Sequence, residues 1–307
     1  MSRIRRPWTQ ASTMLLVGVL SLVAALAVLF VTPAGRVDAG DAVVSATVSS
    51  PTAATESSPT AAAATAEPSA TAEPSTAVRG APKIAVANDN LSVAVLDPET
   101  GRTAEANGDS EYVSASIAKV DILAALLLQA QDESRDLTTA ERTSASAMIR
   151  QSDNDAATTL WKEVGGADGL EAANTRLGLT ETTPSAESWG LTTTTVGDQI
   201  DLLVALTAES SALDADSREY AVGLMESVAT DQAWGVSAAA DQGTTALKNG
   251  WLPRSTTGLW VINSIGRITH EGHELLVAVL SDSHSTMDAG VAEVETAAEA
   301  AAEAVSD

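Results

Sequence analysis

Stretches with strand character stand at both ends of residues 83–307, and helical patterns fill the sequence between them. Residues 91–96 (Leu-Ser-Val-Ala-Val-Leu) predict a strand, and the apolar runs at 259–268 and 274–281 predict a hairpin. Strands so far apart in the chain share one sheet when the helices between them form an insertion. The order therefore predicts an α+β fold, in which the terminal segments close a sheet and an all-α lobe is inserted in the middle.

The helical patterns include one of unusual character. Residues 114–129 are apolar almost throughout, which indicates a buried central helix. Further helices are predicted at 139–150, 153–163, 167–177, 196–207, 216–228 and 287–305. Residues 83–307 are numerous enough to build one domain of two lobes.

The first 82 residues have a different composition from the rest. Three arginines precede an apolar run, so we expect a cytoplasmic segment at 1–12, a membrane-spanning anchor at 13–32 and everything later outside the cell. A cleavable signal peptide remains the alternative, because residues 37–39 offer a small-residue cleavage site, and the protein would then be secreted. Residues 33–82 are rich in Ala, Thr, Ser and Pro, which predicts a disordered linker that spans the cell wall.

The formal charge of −24 comes from residues 83–307, which carry 12 basic and 36 acidic side chains. Because so acidic a domain repels nucleic acids and anionic membrane surfaces, we expect neither as a partner. The 307 residues contain no cysteine, which excludes disulfides and lipid attachment through a cysteine. His270, His273 and His284 do not form a pattern of metal ligands, so we expect no metal and no organic cofactor.

Three short strings follow one another: Ser116-Ile-Ala-Lys119, Ser152-Asp-Asn154 and Lys248-Asn-Gly250. Ser116 and Lys119 lie one helical turn apart and therefore share a face. A serine hydroxyl needs a neighbouring base to act as a nucleophile, and a desolvated lysine near a second cation can be neutral enough to serve. A helix that begins at Ser116 would also direct free backbone N–H groups towards a developing oxyanion.

In this order the strings resemble the S-x-x-K, S-D-N and K-T-G elements of the class A β-lactamases and related penicillin-recognising serine hydrolases. The resemblance covers about residues 88–306 and implies a five-stranded antiparallel sheet flanked by terminal helices, with the active site at the seam between the lobes. It also implies roles for single residues. Ser152 would pass a proton to the leaving nitrogen, while Asn154 would hold the substrate amide carbonyl and help to place Lys119.

The third string carries further implied roles. By the same resemblance, Lys248 attracts a substrate carboxylate, and the backbone N–H of Trp251 joins that of Ser116 as an oxyanion donor. Asn249 stands where relatives have a hydroxyl residue that binds the carboxylate, so we expect its amide, together with Gly250, to contact the substrate.

The loop before residue 196 departs from the pattern. Class A β-lactamases carry there a glutamate that activates the water for release of the acyl-enzyme. Here the interval between Leu177-Gly178 and Thr192–Thr195 is about ten residues shorter, and Glu181 and Glu187 are its candidate bases. Neither stands in the expected Glu-x-x-x-Asn context, so slow release is expected. Tryptophans near the motifs predict either a hydrophobic rim for substrate or core packing: Trp189, Trp234 and Trp251.

Three functions fit these observations. The first is an extracytoplasmic serine hydrolase of class A β-lactamase type, which is acylated at Ser116 and hydrolyses β-lactams slowly. The second is a D,D-peptidase or esterase that acts on amides or esters derived from the cell wall. The third belongs to a different class: a tethered binding or sensor domain that is acylated or occupied without turnover. In each case we expect a monomer that meets its small-molecule ligand close to the cell wall.

Overall fold

The computed structural model describes residues 83–306, apart from positions 87, 242 and 244. The cytoplasmic segment expected at 1–12, the anchor or signal peptide expected at 13–32 and the linker expected at 33–82 lie outside the described residues. Within the described part, no helix is both long enough and apolar enough to cross a lipid bilayer.

The strands of the described part are β1 (Leu91–Leu96), β2 (Thr103–Ala106), β3 (Tyr112–Val113), β4 (Thr193–Thr194), β5 (Ala246–Pro253), β6 (Trp260–His270) and β7 (His273–His284). Five of them form an antiparallel sheet in the order β2-β1-β7-β6-β5, while β3 pairs with β4. Because β1 and β2 precede the helices and β5 to β7 follow them, the two ends of the domain close one sheet. The predicted α+β division is confirmed.

The helices of the described part are α1 (Ala118–Asp132), α2 (Thr139–Arg150), α3 (Asn154–Glu163), α4 (Gly166–Leu177), α5 (Val196–Thr207), α6 (Ala215–Glu226) and α7 (Met287–Val305). The helix predicted from residue 114 begins later, because Ala115–Ile117 form a 3₁₀ turn. Ala115 has a φ of 50°, which is incompatible with an α-helix. Ser116 therefore lies in the turn that leads into α1.

The sheet separates two apolar cores. Side chains of β1 alternate between them, with Ala94 and Leu96 on the face of the inserted helices and Val93 and Val95 on the opposite face. The opposite face is covered by α7, the last helix of the described residues. The inserted helical lobe thus packs on one face of the sheet, and β5 is an edge strand of that sheet.

Helix α1 is the centre of the helical lobe. Its first eleven residues, at 118–128, are all buried, including the two ionisable side chains Lys119 and Asp121. With the Asn174 amide in α4 assigned in the orientation that satisfies both of its polar atoms, its nitrogen donates to an Asp121 carboxylate oxygen at 2.7 Å. Burial raises the pKa of Asp121 to about 7, although this hydrogen bond opposes the shift and the nearby Asp198 carboxylate adds to it.

This carboxyl group predicts a pH dependence of stability. Between the ordinary pKa of about 4 and the raised value, the folded state binds a proton that the unfolded state has released. The free energy of unfolding should therefore fall as the pH rises through this interval, and Asp121→Asn should reduce that fall. Urea unfolding at about pH 5 and about pH 8 measures the effect. The control, Asp132→Asn at the exposed end of the same helix, should keep the wild-type slope; an unchanged slope in Asp121→Asn would contradict the assignment.

Candidate active site

The side-chain nitrogen of Lys119 is surrounded by neutral hydrogen-bond acceptors. Lys119 Nζ lies 3.0 Å from Ser116 Oγ and 2.8 Å from Asn154 Oδ1. It also lies 2.6 Å from the backbone oxygen of Ser152 and 3.0 Å from Ser152 Oγ. The first two strings of the sequence are therefore brought together around one buried amine.

A second lysine reaches the same hydroxyl from the sheet. Lys248, in β5, is 1% exposed, and its Nζ lies 3.1 Å from Ser152 Oγ and 2.9 Å from the backbone oxygen of Asn249. Ser152 Oγ therefore lies between two amines, one from α1 and one from β5. Since α1 belongs to the helical lobe, the cluster lies at the seam between the lobes, where the family resemblance implies the active site.

The two amines have unusual proton affinities. Burial lowers the pKa of Lys119 to about 8, and the carboxylate of Asp153 partly opposes this shift. Burial, followed by repulsion from Lys119, lowers the pKa of Lys248 to about 7. The pair can therefore release a proton near neutral pH. Although the lower pKa belongs to Lys248, the geometry makes Lys119 the candidate base, because Lys119 Nζ contacts Ser116 Oγ whereas Lys248 Nζ contacts Ser152 Oγ.

Two residues that frame this cluster have strained backbones. Ala115, before the candidate nucleophile, has a φ of 50°, and Ser152 has a φ of 56°. For residues other than glycine, such conformations cost about 1–3 kcal/mol each and persist where surrounding contacts fix them. At Ser152 the conformation allows both the backbone oxygen and the hydroxyl to face Lys119.

Gly250 allows the edge strand to approach the nucleophile. A Cβ atom at this position would lie 2.8 Å from the Ser116 nitrogen and 2.6 Å from the Ser114 oxygen, so only glycine fits without displacement. The predicted oxyanion donors are the backbone N–H groups of Ser116 and of Trp251, the residue after Gly250. The close packing at Gly250 brings these two backbone segments together. We expected Gly250 to contact the substrate, and the structure shows that it also allows β5 to approach the turn of Ser116.

Asn249 points into a buried network on the far side of β5. Its Nδ2 donates to the backbone oxygens of Gln232 at 2.8 Å and Trp234 at 3.0 Å, and its Oδ1 accepts from Ser264 Oγ at 2.6 Å. Asn249 is 1% exposed. A contact with a substrate carboxylate would require these bonds to break, so the structure does not support the role expected for this amide.

Asn263 supports the site without any signal in the three strings. It is completely buried in β6, and its Nδ2 donates to the backbone oxygens of Val113 at 2.9 Å and Ser114 at 3.0 Å. Its Oδ1 accepts from the Ser281 backbone N–H at 3.0 Å. These bonds fasten the segment before Ser116 to the sheet. A polar residue within the apolar run of β6 was the sequence signal for it.

The two candidate deacylation bases lie in the loop before α5. Glu181 Oε2 accepts from Thr195 Oγ1 at 3.2 Å, and the Glu181 backbone N–H donates to Asp198 Oδ2 at 2.8 Å, both at the start of α5. Glu187 is exposed, and its backbone N–H donates to Ser185 Oγ at 3.3 Å. Neither glutamate is among the acceptors of Lys119 described above.

The tryptophans of the motifs divide between the two roles left open by the sequence. Trp189 lies with its ring against Lys119, whose Nζ is 4.8 Å from the ring centroid. Trp234 and Trp251 pack against each other, with ring centroids 5.8 Å apart, beside the core that α7 covers. Trp189 therefore faces the amine cluster, while Trp234 and Trp251 contribute to core packing.

The histidines have separate surroundings. His284 Nε2 lies 2.8 Å from Ser281 Oγ, and His273 Nδ1 lies 3.3 Å from an oxygen of Asp97. His270 Nδ1 lies 2.7 Å from a backbone oxygen. Within residues 83–306, save the three positions not described, no group of three or more His, Cys, Asp or Glu side chains is arranged to hold a metal ion.

Comparison with known sequences identifies the family. A sequence model described as "Beta-lactamase enzyme family" matches residues 81–144 and 139–307. The "Putative lipoprotein LppW" of Mycobacterium bovis and of Mycobacterium tuberculosis is 30% identical over 176 residues. This match covers 55% of the present chain and 56% of LppW, so the chain spans little more than half the length of these curated relatives.

Solved structures with the same fold include β-lactamases and PBP-A. The TLA-3 extended-spectrum β-lactamase has a TM-score of 0.64 and 18% identity, covering 71% of this chain and 94% of its own. PBP-A has a TM-score of 0.60 and 20% identity, covering 71% and 91%, and a variant of it is described as an acyl-enzyme complex with penicillin G. The resemblance stated from the sequence is thereby confirmed at the level of family and fold: this chain belongs to the beta-lactamase enzyme family.

Proposed function

We propose that the protein is an extracytoplasmic serine hydrolase that β-lactams acylate at Ser116 and that releases the product slowly. The observation that carries this proposal is the unbroken series of contacts from Ser116 Oγ through Lys119 Nζ and Ser152 Oγ to Lys248 Nζ. Such a series can remove a proton from one hydroxyl and deliver a proton from another, and acyl transfer from an amide needs both operations.

Acylation proceeds by three proton movements. Neutral Lys119 accepts the proton of Ser116 as Oγ forms a bond to the substrate carbonyl carbon, and the backbone N–H groups of Ser116 and Trp251 stabilise the oxyanion. Ser152 then donates its proton to the amide nitrogen as the C–N bond breaks, and it regains a proton from protonated Lys119. The products are an ester at Ser116 and a free amine on the opened ring or the departing group.

The second lysine has a different task. Lys248 contacts Ser152 and makes no direct contact with the Ser116 hydroxyl among the contacts described above. When protonated it raises the potential at the seam, which attracts a substrate carboxylate and eases proton donation by Ser152. With the Asn249 amide engaged in the interior, this charge is the principal candidate for recognition of the carboxylate.

The envelope is the proposed location. The curated relatives carry the word lipoprotein in their name, whereas the present sequence has no cysteine that could carry a lipid. We propose that the apolar segment at 13–32 replaces the lipid as a single-pass anchor, and that residues 33–82 extend the catalytic domain away from the membrane. A cleaved signal peptide and secretion is the alternative.

A second candidate function stays within the same chemistry. A D,D-peptidase or esterase acting on cell-wall fragments would use the same acylation steps, and the solved structure of a penicillin-bound PBP-A variant shows that a protein of this fold can hold a penicillin as an acyl-enzyme. A sensor or binding domain that is occupied without turnover is the third candidate. The amounts of adduct and of released product distinguish the three.

The first prediction concerns the nucleophile. Penicillin G should add its full mass to the protein at Ser116, and Ser116→Ala should abolish the adduct because no other hydroxyl contacts Lys119 from the start of α1. Intact-mass spectrometry with peptide mapping measures this. The matched control is Ser114→Ala, which removes a buried hydroxyl that has no hydrogen-bond partner among the described residues and should leave labelling intact. Labelling that persists in Ser116→Ala, or maps to another serine, would refute the proposal.

The second prediction separates the two lysines. Lys119→Ala should slow acylation by about 10²–10⁴-fold, because it removes the base. Lys248→Ala should weaken capture of carboxylate-bearing substrates more than of neutral esters. Acylation rates with one substrate of each kind measure both effects, and Lys162→Ala, which removes an exposed lysine of α3, is the control. Equal losses for both substrates in both variants would contradict separate roles.

The third prediction concerns release. Hydrolysis of the acyl-enzyme needs a water that is held and deprotonated beside the ester, and the loss of a general base slows such a step by about 10²–10⁴-fold. The penicillin adduct should therefore accumulate as a burst and decay slowly. Its decay should be little changed in Glu181→Gln and Glu187→Gln. If the adduct never accumulates in the wild type and persists in one of these variants, that glutamate is the deacylating base and release is not the slow step.

A further inference from the structure

The indole of Trp189 covers Lys119 from the side of the shortened loop. Lys119 Nζ lies 4.8 Å from the centroid of the ring, within the distance at which the π face of an indole attracts a cation. Trp189 packs partly buried against the core of the helical lobe. Trp189 is therefore a neighbour of the proposed general base Lys119, although it lies outside the three sequence strings.

The indole is held in this position from two directions. Its Nε1 donates to Thr158 Oγ1 at 3.2 Å, and Thr158 Oγ1 in turn donates to the Asn154 backbone oxygen at 2.9 Å. The turn Trp189–Leu191 also contacts the turn Ala115–Ile117 that carries Ser116. The Ser114 backbone N–H donates to the Thr192 oxygen at 2.8 Å beside this contact. The ring is thus fixed both to α3 and to the segment of the nucleophile.

The charged groups around Lys119 differ in their effect on its protonated form. Lys248 on β5 repels its positive form, and burial disfavours that form. Asp153, at the start of α3, favours it from an exposed position. Asp121 on the same helix is buried and bonded to Asn174 instead. The hydrogen-bond acceptors of the amine described above are neutral oxygens, and the π face of Trp189 adds a further group of negative potential within cation–π distance.

We propose that Trp189 is a positioning residue for Lys119, whose indole face stabilises the ammonium form and so sets the pH at which Lys119 becomes a base. A cation–π contact at a desolvated site is strong enough to move a proton affinity by about half a pH unit to one pH unit. The effect of Trp189 on the proton affinity of Lys119 depends only on the contact between these two side chains. The consequence for acylation of Ser116 rests on the function proposed above.

The test measures the proton on Lys119 directly. The sequence has four lysines, Lys83, Lys119, Lys162 and Lys248, so carbon NMR of the full-length protein labelled at lysine Cε gives few signals. The signal that disappears in Lys119→Ala belongs to Lys119. In Trp189→Leu, which keeps an apolar side chain and loses the π face, the titration midpoint of Lys119 should fall by about half a pH unit to one pH unit. Trp189→Phe should give a smaller fall.

A matched control and a second variant keep the test decisive. Trp161→Leu removes a partly buried indole of the same helical lobe and should leave the midpoint of Lys119 unchanged. Thr158→Val releases the indole N–H while keeping the shape of the side chain, so it should also lower the midpoint, and it decides the question if Trp189→Leu does not fold. An unchanged midpoint in the folded variants, or a rise caused by entry of water, overturns the proposal.

Kinetics separate this proposal from the proposed function. The midpoint of the pH profile for acylation by penicillin G should move to lower pH in Trp189→Leu by the same amount as the NMR midpoint. If no adduct forms at Ser116 in any protein, the proposed function fails while the titration still decides the role of Trp189. If adducts form and both midpoints stay at the wild-type values, the role of Trp189 fails and the proposed function stands.

Discussion

Two lysine side chains are buried around one hydroxyl, and much of the surrounding structure serves to keep them there. A buried ammonium group without partners costs several kcal/mol, so its position must be supported by acceptors that are themselves fixed. Lys119 comes from the helical lobe and Lys248 from the sheet, and Ser152 lies between them. Opening the seam would separate Lys248 Nζ from Ser152 Oγ, whereas Lys119 would keep its contacts with Ser152 and Asn154 in the helical lobe. The contact between Lys248 and Ser152 is therefore both a step of the proposed proton path and a link between the lobe and the sheet.

The strained backbone around the site is understandable from this constraint. Ser152 presents both its backbone oxygen and its hydroxyl to Lys119 while its φ is 56°. An ordinary turn that supplied one acceptor would leave part of the amine unpaired. On the other side, Asn263 and Gly250 fix the turn of Ser116 against the sheet. The strain at each of these turns, about 1–3 kcal/mol, is balanced by bonds made to both lobes.

The parts of the site that the sequence predicts are those determined by local pattern. Ser116 and Lys119 share a face because of helical spacing, and the sheet and helical lobe follow from periodicity. The surroundings of Asn249 could not be predicted, because its partners come from the separate turns that contain Gln232 and Trp234 and from β6. Trp189 is equally remote, since its contact with Lys119 depends on how the loop after α4 returns to α1. The role expected for Asn249 came from the third string, and that of Trp189 came from composition. The surroundings of both side chains depend instead on packing between segments that are distant in the sequence.

The contacts of the loop before α5 bear on the proposed difference in rate between acylation and release. Asp198 accepts hydrogen bonds from Thr182 Oγ1 at 2.6 Å and from the Glu181 backbone N–H at 2.8 Å, and burial raises the pKa of Asp198. If Glu181 moved towards Ser116 together with its backbone, this buried carboxyl group would lose partners, which costs about 1–3 kcal/mol or more for each bond. On the nearer side, the indole of Trp189 already occupies the space beside Lys119. If the proposed acyl-enzyme forms, the shortened loop should restrict its release in two ways, because the loop's Glu181 is bonded to the start of α5 and its Trp189 covers Lys119.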